Sequence, residues 1–229
     1  MSALGPRAVV FGAGGAIGGA LVAELAERGV PEIHALTRAQ ADILDEADLA
    51  QVAARLGADG ALDTVIVATG LLHGPGIAPE KALRDLRSDV LAKVFAVNCI
   101  GPMLVMKYFL PLLARRRPAR LAVLSARVGS VSDNRLGGWY AYRAAKAALN
   151  MAVRSAAIET ARRAPQAMVL ALHPGTVESR LSAPFHGGVP VAQVVSPALA
   201  AKNLADVLEN AKLEQSGRLL AFDGQEIAP

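Results

Sequence analysis

The chain has 229 residues, a formal net charge of +4 at pH 7 and a hydrophobic content of 53%. This length suits one α/β domain, and the aliphatic core that the composition supplies needs no disulfide or metal. The single cysteine, Cys99, excludes an intrachain disulfide and agrees with a cytoplasmic protein. The four histidines are far apart in sequence, so no metal site is predicted. Scattered positive charge makes a nucleic-acid partner unexpected.

Strand-like apolar runs alternate with helix-like segments along the whole chain. We predict strands at 7–11, 32–37, 62–68, 120–125, 168–173 and 218–222. We predict helices after the glycine-rich turn at 12–19 and at about 45–56, 81–87, 90–117, 139–159 and 196–210. This order predicts one α/β domain over 1–229, a doubly wound (Rossmann), mostly parallel sheet with helices on both faces.

A glycine-rich turn, GAGGAIG, connects the first predicted strand to the first helix. A tight strand-to-helix turn needs glycines for steric reasons alone. At this position, however, the turn also brings backbone N–H groups to a helix N-terminus, where the helix dipole favours a pyrophosphate. We therefore predict dinucleotide binding at this turn.

The end of the second predicted strand indicates which dinucleotide is bound. An acidic residue there would hydrogen-bond the ribose 2′-OH and reject a 2′-phosphate. This sequence has Thr37 and then Arg38, whose guanidinium can pair with a phosphate. We expect NADP rather than NAD, the alternative being that Arg38 is a solvated loop residue.

The longest predicted helix, at 90–117, is apolar but not membrane-spanning. Asn98, Pro102 and Lys107 interrupt its apolar run, so no membrane span is expected. Asn98 lies on an apolar face, where it either bonds a neighbouring carbonyl or holds a kink that serves a site. We expect Arg115–Arg117 to cap the carboxyl end of this helix.

The predicted helix at 139–159 carries Tyr142 and Lys146 four residues apart, on one face and one turn from each other. A phenol is a poor acid or base at neutral pH, and a nearby ammonium is expected to lower its pKa. The pair is therefore a candidate proton-transfer unit for a carbonyl and its alcohol. The alternative is an interfacial tyrosine beside a solvated lysine.

These motifs together resemble the short-chain dehydrogenase/reductase family, and the resemblance covers nearly the whole chain. They occur in the family's order: the turn at Gly12–Gly18, Asp42, the ATG at Ala68–Gly70, Asn98, the YRAAK at Tyr142–Lys146 and the PGTV at Pro174–Val177. The segment at 125–150 is also similar to small carbonyl reductases related to bacterial C-factor signalling proteins.

The resemblance implies a role for each matching residue. Tyr142 would be the general acid in reduction or the base in oxidation, Lys146 would lower its pKa and hold the nicotinamide ribose, and Asn98 would hold a water of the proton relay. The implied cofactor-binding residues are Gly12, Gly14, Gly15, Ala16, Ile17, Gly18, Thr37, Arg38, Asp42, Ile43, Ala68, Thr69, Gly70, Tyr142, Lys146, Pro174, Gly175, Thr176 and Val177.

Three positions depart from the family's pattern. Ala16 replaces a glycine of the turn, and Ala68 replaces an asparagine whose hydrogen bond stabilises a strand. The third departure is Ala126, which stands where the family has the serine that orients the substrate carbonyl. Losing a donor to a developing oxyanion typically costs about 100- to 1000-fold in rate. Ser130 is the first candidate replacement and Ser125 the second, and Ser132 is a further hydroxyl of the same loop. The alternative is that Tyr142 alone holds the substrate carbonyl.

The resemblance implies an NADP-dependent oxidoreductase that reduces a small carbonyl compound or oxidises the alcohol. A weakly active or non-catalytic dinucleotide-binding signalling protein is the alternative that Ala126 favours, and a lyase or epimerase is a third. The loop at 178–191, expected to cover the substrate, has no readable specificity code. Family members usually pair through the helices predicted at 90–117 and 139–159, so we expect a homodimer or homotetramer.

Overall fold

The computed structural model describes residues 2–188 and 193–229, without the side chains of 186–188. The strands are β1 Arg7–Phe11, β2 Glu32–Leu36, β3 Thr64–Val67, β4 Ala119–Leu124, β5 Ala167–His173, β6 Thr176–Val177, β7 Val194–Val195, β8 Leu219–Ala221 and β9 Glu226–Ile227. Seven of them form a sheet in the order β2-β1-β3-β4-β5-β8-β9, parallel except for β9. The connections leave β1 and β3 in opposite directions, which opens a crevice at the carboxyl ends of these two strands.

The helices cover both faces of this sheet. They are α1 Ala16–Glu27, α2 Glu46–Ala58, α3 Ser88–Phe95, α4 Gly101–Phe109, α5 Tyr140–Ala161 and α6 Pro197–Asn210. A π-helical segment, Ala96–Ile100, joins α3 to α4 without a break. The single-domain, doubly wound α/β fold predicted from the sequence is confirmed.

Strand alternation divides the core into two layers, because successive side chains of a strand point to opposite faces. Val9, Val65 and Leu121 are fully buried on the face covered by α2, α4 and α5. Val10 and Ile66 are fully buried on the face covered by α1 and α6. Since both faces are covered, the strands are continuous apolar runs, as parallel strands usually are.

Two helix starts follow from capping residues. The Asp45 carboxylate accepts hydrogen bonds from the N–H groups of Ala47 and Asp48 at the start of α2. The Ser196 hydroxyl accepts one from the Leu199 N–H at the start of α6, where Pro197 is the first helical residue. The N-cap predicted at Ser196 is confirmed.

The structure corrects the helices predicted at 81–87 and 90–117. The first is a single 3₁₀ turn at Leu83–Asp85. The second runs from residue 88 to 112, because beyond that point the backbone pairs with the chain at Leu62, just before β3. Arg115–Arg117 therefore lie beyond the helix and do not cap it. Arg117 instead pairs with the buried Asp63, its Nε 2.5 Å from Oδ1.

Other differences are confined to short elements and strand ends. β2 ends at Leu36, one residue before Thr37, and β3 is shorter than predicted at both ends. The sequence missed β6, β7 and the antiparallel β9, each only two residues long. Part of the loop expected to cover the substrate, at 189–191, lies outside the described residues.

One helical stretch, Ser88–Leu112, is long and apolar enough by composition to cross a membrane. In this fold, 44% of its most apolar window is buried inside the protein. Its Phe109 ring packs edge-on against Phe11 of β1, with ring centroids 4.9 Å apart. The packing identifies this stretch as a core helix of the domain.

Candidate active site

A groove lies along the carboxyl ends of β1 and β3, at the crevice that the topology opens. Ten of the predicted cofactor-binding residues line it: Gly12, Gly14, Gly15, Thr37, Arg38, Asp42, Ile43, Ala68, Thr69 and Gly70. Four further lining residues were not predicted: Ala41, Leu44, Val97 and Arg180. Arg180 comes from the loop after β6, and no sequence motif places that loop over the groove. The groove thus presents two exposed arginines, Arg38 and Arg180.

The glycine turn at the head of the groove is sterically constrained. Gly12 has φ +79°, and a Cβ there would lie 2.9 Å from the Ala68 carbonyl oxygen. A Cβ on Gly18 would lie 2.1 Å from the Gly12 carbonyl oxygen, so Gly18 allows α1 to pack directly on the turn. Gly18 is buried, and neither it nor Ile17 or Ala16 lines the groove.

The start of α1 fits the pyrophosphate of a dinucleotide. Its N-cap is Gly15, which offers no side-chain cap, and its first turn has no acidic residue. The first N–H groups of the helix therefore remain available to an anion, and the helix dipole favours negative charge at that point. The residues present fit a bound dinucleotide, with Gly14 and Gly15 exposed at the groove and Arg38 beyond the end of β2.

The other predicted cofactor segment, Pro174–Val177, follows β5 and lies outside the lining of this groove. Gly175 has φ +79°, and a Cβ there would lie 3.1 Å from the Phe222 ring. Thr176 and Val177 form β6 and pair with β7, and Val177 is buried. Their contact with a nicotinamide remains a prediction.

The structure places Tyr142, Lys146 and Asn150 at successive turns of one face of α5, near the end of β4. Lys146 is 2% exposed, and its Nζ donates a hydrogen bond of 2.8 Å to the Leu124 carbonyl oxygen. The same Nζ lies 5.7 Å from the centre of the Tyr142 ring. The Ser125 hydroxyl donates to the Asn150 Oδ1 at 2.7 Å. These contacts hold α5 in a fixed position against the strand.

Burial controls the ionisation of both candidate proton-transfer groups. It raises the pKa of Tyr142 to about 12 and lowers the pKa of Lys146 to about 7. The shift of the Tyr142 pKa in this structure comes from burial, and the effect of Lys146 on that pKa stays a prediction. Low-polarity surroundings favour the neutral form of each group.

Asn98 lies in the π-helical segment with its side chain fully buried. Its Nδ2 donates to the carbonyl oxygens of Leu71 and Val94, at 2.6 and 2.9 Å, and its Oδ1 accepts from the Leu71 N–H at 3.0 Å. The side chain thus connects the helix to the loop after β3, next to the groove. The expected bond to a neighbouring carbonyl is confirmed. Asn98 also lies at a helix irregularity, and the expectation that this irregularity serves a site stays a prediction.

Residues 3–214 match the family model described as "Enoyl-(Acyl carrier protein) reductase", which covers most of the chain. The chain belongs to the short-chain dehydrogenase/reductase family. It is accordingly an oxidoreductase with the family's dinucleotide-binding fold.

Two curated relatives and one solved structure support this assignment. The C-signal protein of Myxococcus xanthus is 36% identical over 146 residues, 64% of this chain and 82% of that protein. The 1-hydroxy-2-glutathionyl-2-methyl-3-butene dehydrogenase of Rhodococcus sp. is 31% identical over 184 residues, 80% of this chain and 76% of that enzyme. The NADPH-bound carbonyl reductase from chicken fatty liver superposes with a TM-score of 0.84 at 22% identity, covering 98% of this chain and 99% of that one, and shows the same fold.

The two serines proposed to replace the family serine at Ala126 have different surroundings. The Ser125 hydroxyl uses its proton in the bond to Asn150, on the α5 side of the sheet. The Ser130 hydroxyl accepts a hydrogen bond from the Asp133 N–H, which leaves its own proton available. Gly129 lies directly against α5, because a Cβ there would be 2.8 Å from the Lys146 Cβ. Ser130 is therefore adjacent to the segment that contacts Lys146.

Lys146 gives a testable dependence of stability on pH. Its pKa falls from 10.5 in the unfolded chain to about 7 in the fold, so between these values the unfolded chain binds more protons. We expect the free energy of unfolding to rise with pH from about 7 to about 10, since each pKa unit corresponds to about 1.4 kcal/mol. Burial also lowers the pKa of His173 to about 4. This histidine affects the free energy of unfolding in a separate pH range, below 6.5.

Urea unfolding of wild type and Lys146→Met across this range measures the effect. The variant should be more stable near pH 7 and should lose most of the slope. Lys202→Met, which changes an exposed lysine on α6, is the matched control and should keep the wild-type slope. Parallel curves for wild type and Lys146→Met would show that Lys146 is protonated in the fold at pH 7 to 10.

Proposed function

We propose that this oxidoreductase uses NADPH to reduce a small apolar ketone or aldehyde, and oxidises the corresponding alcohol in reverse. The observation that carries the proposal is the pair Tyr142 and Lys146, held on one face of α5 at the end of β4. Bound NADPH would supply the hydride, and the protein supplies orientation and a proton. We interpret the substrate as a small carbonyl compound because a proton donor such as Tyr142 suits that reaction.

Tyr142 acts as the general acid. Because its pKa is raised to about 12, the phenol remains protonated at neutral pH and can donate its proton to the carbonyl oxygen as negative charge develops there. Lys146 Nζ, with a pKa of about 7, is able to return a proton to the Tyr142 oxygen. Asn98 is a positioning residue, since its amide fixes the Leu71 backbone beside the groove.

Ser130 is the proposed second donor to the carbonyl oxygen. Its proton is uncommitted among the described contacts, whereas the Ser125 proton is held by Asn150. In this proposal Ser125 serves to anchor β4 to α5 and has no direct part in the reaction. Ala126 leaves the family's usual donor position without a hydroxyl, so turnover is expected to be slow.

The catalytic proposal predicts the effect of changing each proton donor. With NADPH and a panel of small ketones and aldehydes, Tyr142→Phe should abolish turnover, and Ser130→Ala should lower kcat about 100-fold or more with little change in KM. Ala126→Ser should raise kcat by placing a donor at the developing charge. Loss of nicotinamide absorbance measures all of these rates.

Ser125→Ala is the matched control, because it removes a hydroxyl of the same loop that is committed to Asn150. It should lower thermal stability more than kcat. If Ser130→Ala and Ser125→Ala both retain full turnover while Tyr142→Phe is inactive, no serine assists the carbonyl. If Tyr142→Phe retains full turnover, the catalytic proposal fails.

NADP is proposed as the cofactor because Arg38 lines the groove just past the end of β2, where no acid is present. Arg180 adds a second cation on the same groove. Arg38→Asp should reverse a preference for NADPH over NADH, by removing a phosphate partner and adding a like charge. Dissociation constants of both cofactors provide the measurement. Arg84→Asp, at an exposed arginine outside the groove, is the control, and equal affinities in wild type and in Arg38→Asp would exclude Arg38.

A homodimer or homotetramer is proposed through α4 and α5. Four large apolar side chains are exposed on α5 and on the helix that contains α4: Ile100, Met103, Met151 and Ile158. An apolar groove runs between these helices, with Met103 and Met151 among its lining residues. Light scattering at micromolar concentration should give a dimer or tetramer mass for wild type, and Met151→Glu should shift it toward monomer. A monomeric wild type would contradict the proposal.

One other function has a specific observation in its favour. Ala126 removes the usual serine, and the C-signal protein is 36% identical over 146 residues. A dinucleotide-binding signalling protein with little or no turnover is therefore the second candidate. It predicts that NADPH binds tightly while Tyr142→Phe and Ala126→Ser both leave the reduction rate at background.

A further inference from the structure

Trp139 has an unusual backbone conformation directly before the catalytic helix. Its φ of 51° and ψ of 41° are left-handed, and it is the one non-glycine residue with positive φ among the described residues. Gly137 and Gly138 precede it, both with φ 64°. Left-handed backbone is strained for a non-glycine residue. A third glycine would meet the backbone requirement without strain, so the indole must serve a purpose of its own.

Glu80 holds this strained residue in place. The Trp139 N–H donates to the Glu80 carbonyl oxygen at 2.6 Å, and the Ala141 N–H donates to the Glu80 carboxylate at 3.2 Å. Glu80 is 4% exposed, and its carboxylate lies at the positive end of the α5 dipole. Two contacts on either side of Tyr140 therefore hold the backbone of Trp139 in this strained conformation.

The Trp139 ring joins a row of rings from three separate segments. Its centroid lies 6.4 Å from that of Tyr142 and 4.9 Å from that of Phe185, both nearly edge-on. Phe185 lies 5.6 Å from the His73 ring, whose Nε2 is 2.9 Å from the Arg180 carbonyl oxygen. Trp139 and Phe185 are half-buried, so neither residue is fully enclosed by the protein.

We propose that Trp139 and Phe185 form an aromatic wall that binds the apolar, ring-bearing substituent of the substrate while its carbonyl meets Tyr142. The proposal rests on the proposed reductase function and adds the substrate class, namely ketones and aldehydes that carry an aryl group. Aromatic rings prefer edge-on and offset partners at these distances, so a planar substituent gains more from this wall than an alkyl chain does.

The test compares two ketones that differ only by a phenyl group, 4-phenyl-2-butanone and 2-butanone. In wild type, kcat/KM should be about tenfold or more higher for the phenyl ketone. Trp139→Gly and Phe185→Ala should each remove most of that ratio, mainly by raising KM for the phenyl ketone. Trp139→Phe, which keeps a ring, should retain part of it.

Leu136→Ala is the matched control, since Leu136 is 91% exposed in the same loop and should leave the ratio unchanged. Trp139→Gly relieves the backbone strain as it removes the indole, whereas Trp139→Ala removes the indole and keeps the strain. If the wall acts through the Trp139 indole, both variants should lose the preference in kcat/KM for the phenyl ketone equally. If Trp139→Gly keeps the wild-type ratio, the indole does not read the substrate and the proposal is overturned.

Fluorescence provides a readout that is independent of turnover, because Trp139 is the single tryptophan of the chain. Added 4-phenyl-2-butanone should change the tryptophan emission of the protein saturated with NADP, and 2-butanone should change it little. If the phenyl ketone is reduced but leaves the emission unchanged at saturation, the wall is overturned. A wild type that reduces neither ketone, and shows no emission change with either, would instead fail the reductase proposal, whereas turnover of both ketones with equal kcat/KM fails only the wall.

Discussion

The hydrogen bond from Lys146 Nζ to the Leu124 carbonyl oxygen is the contact on which the site depends. A buried amine needs a partner, and the end of β4 supplies a carbonyl oxygen just where the strand stops pairing. Because that bond fixes the position of α5 along the strand, it also fixes Tyr142 one turn earlier. The Ser125–Asn150 bond one turn later, and the close approach of Gly129 to Lys146, hold the same alignment. The simpler interpretation of the sequence allowed a solvated Lys146, which would not fix the position of α5 along the strand.

Burial of Tyr142 and Lys146 also sets the protonation states available to the proposed site. A phenol with a pKa of about 12 stays protonated at neutral pH, so it has a proton to give to a carbonyl oxygen once negative charge develops there. An amine with a pKa of about 7 can exchange protons near neutrality. Surroundings that disfavour charge on Tyr142 therefore keep its proton in place for the proposed reduction.

Features set by local chemistry were predictable from the sequence, and features set by distant contacts were not. Strand alternation, the cap at Ser196 and the glycine turn each depend on neighbouring residues, so their patterns appear in the sequence. The end of the long helix depends on pairing with Leu62, some fifty residues earlier, and the pKa values of Tyr142 and Lys146 depend on how completely the fold excludes water. Arg180, Phe185 and His73 reach the site from loops whose spatial order no local pattern encodes.

The strained backbone of Trp139 and the missing hydroxyl at Ala126 both concern how the proposed site orients a substrate carbonyl. A serine at that position would act on the oxygen, the reacting end of the substrate. Trp139 and Phe185 would act on the other end, through apolar contact that does not distinguish the ground state from the transition state. Contacts of that kind lower KM and select among substrates, but they do not replace an oxyanion donor. The proposed combination of an aromatic wall and a weak donor set would therefore favour selective binding over fast turnover, and in this proposal Ser130 sets how far the rate can rise above that limit.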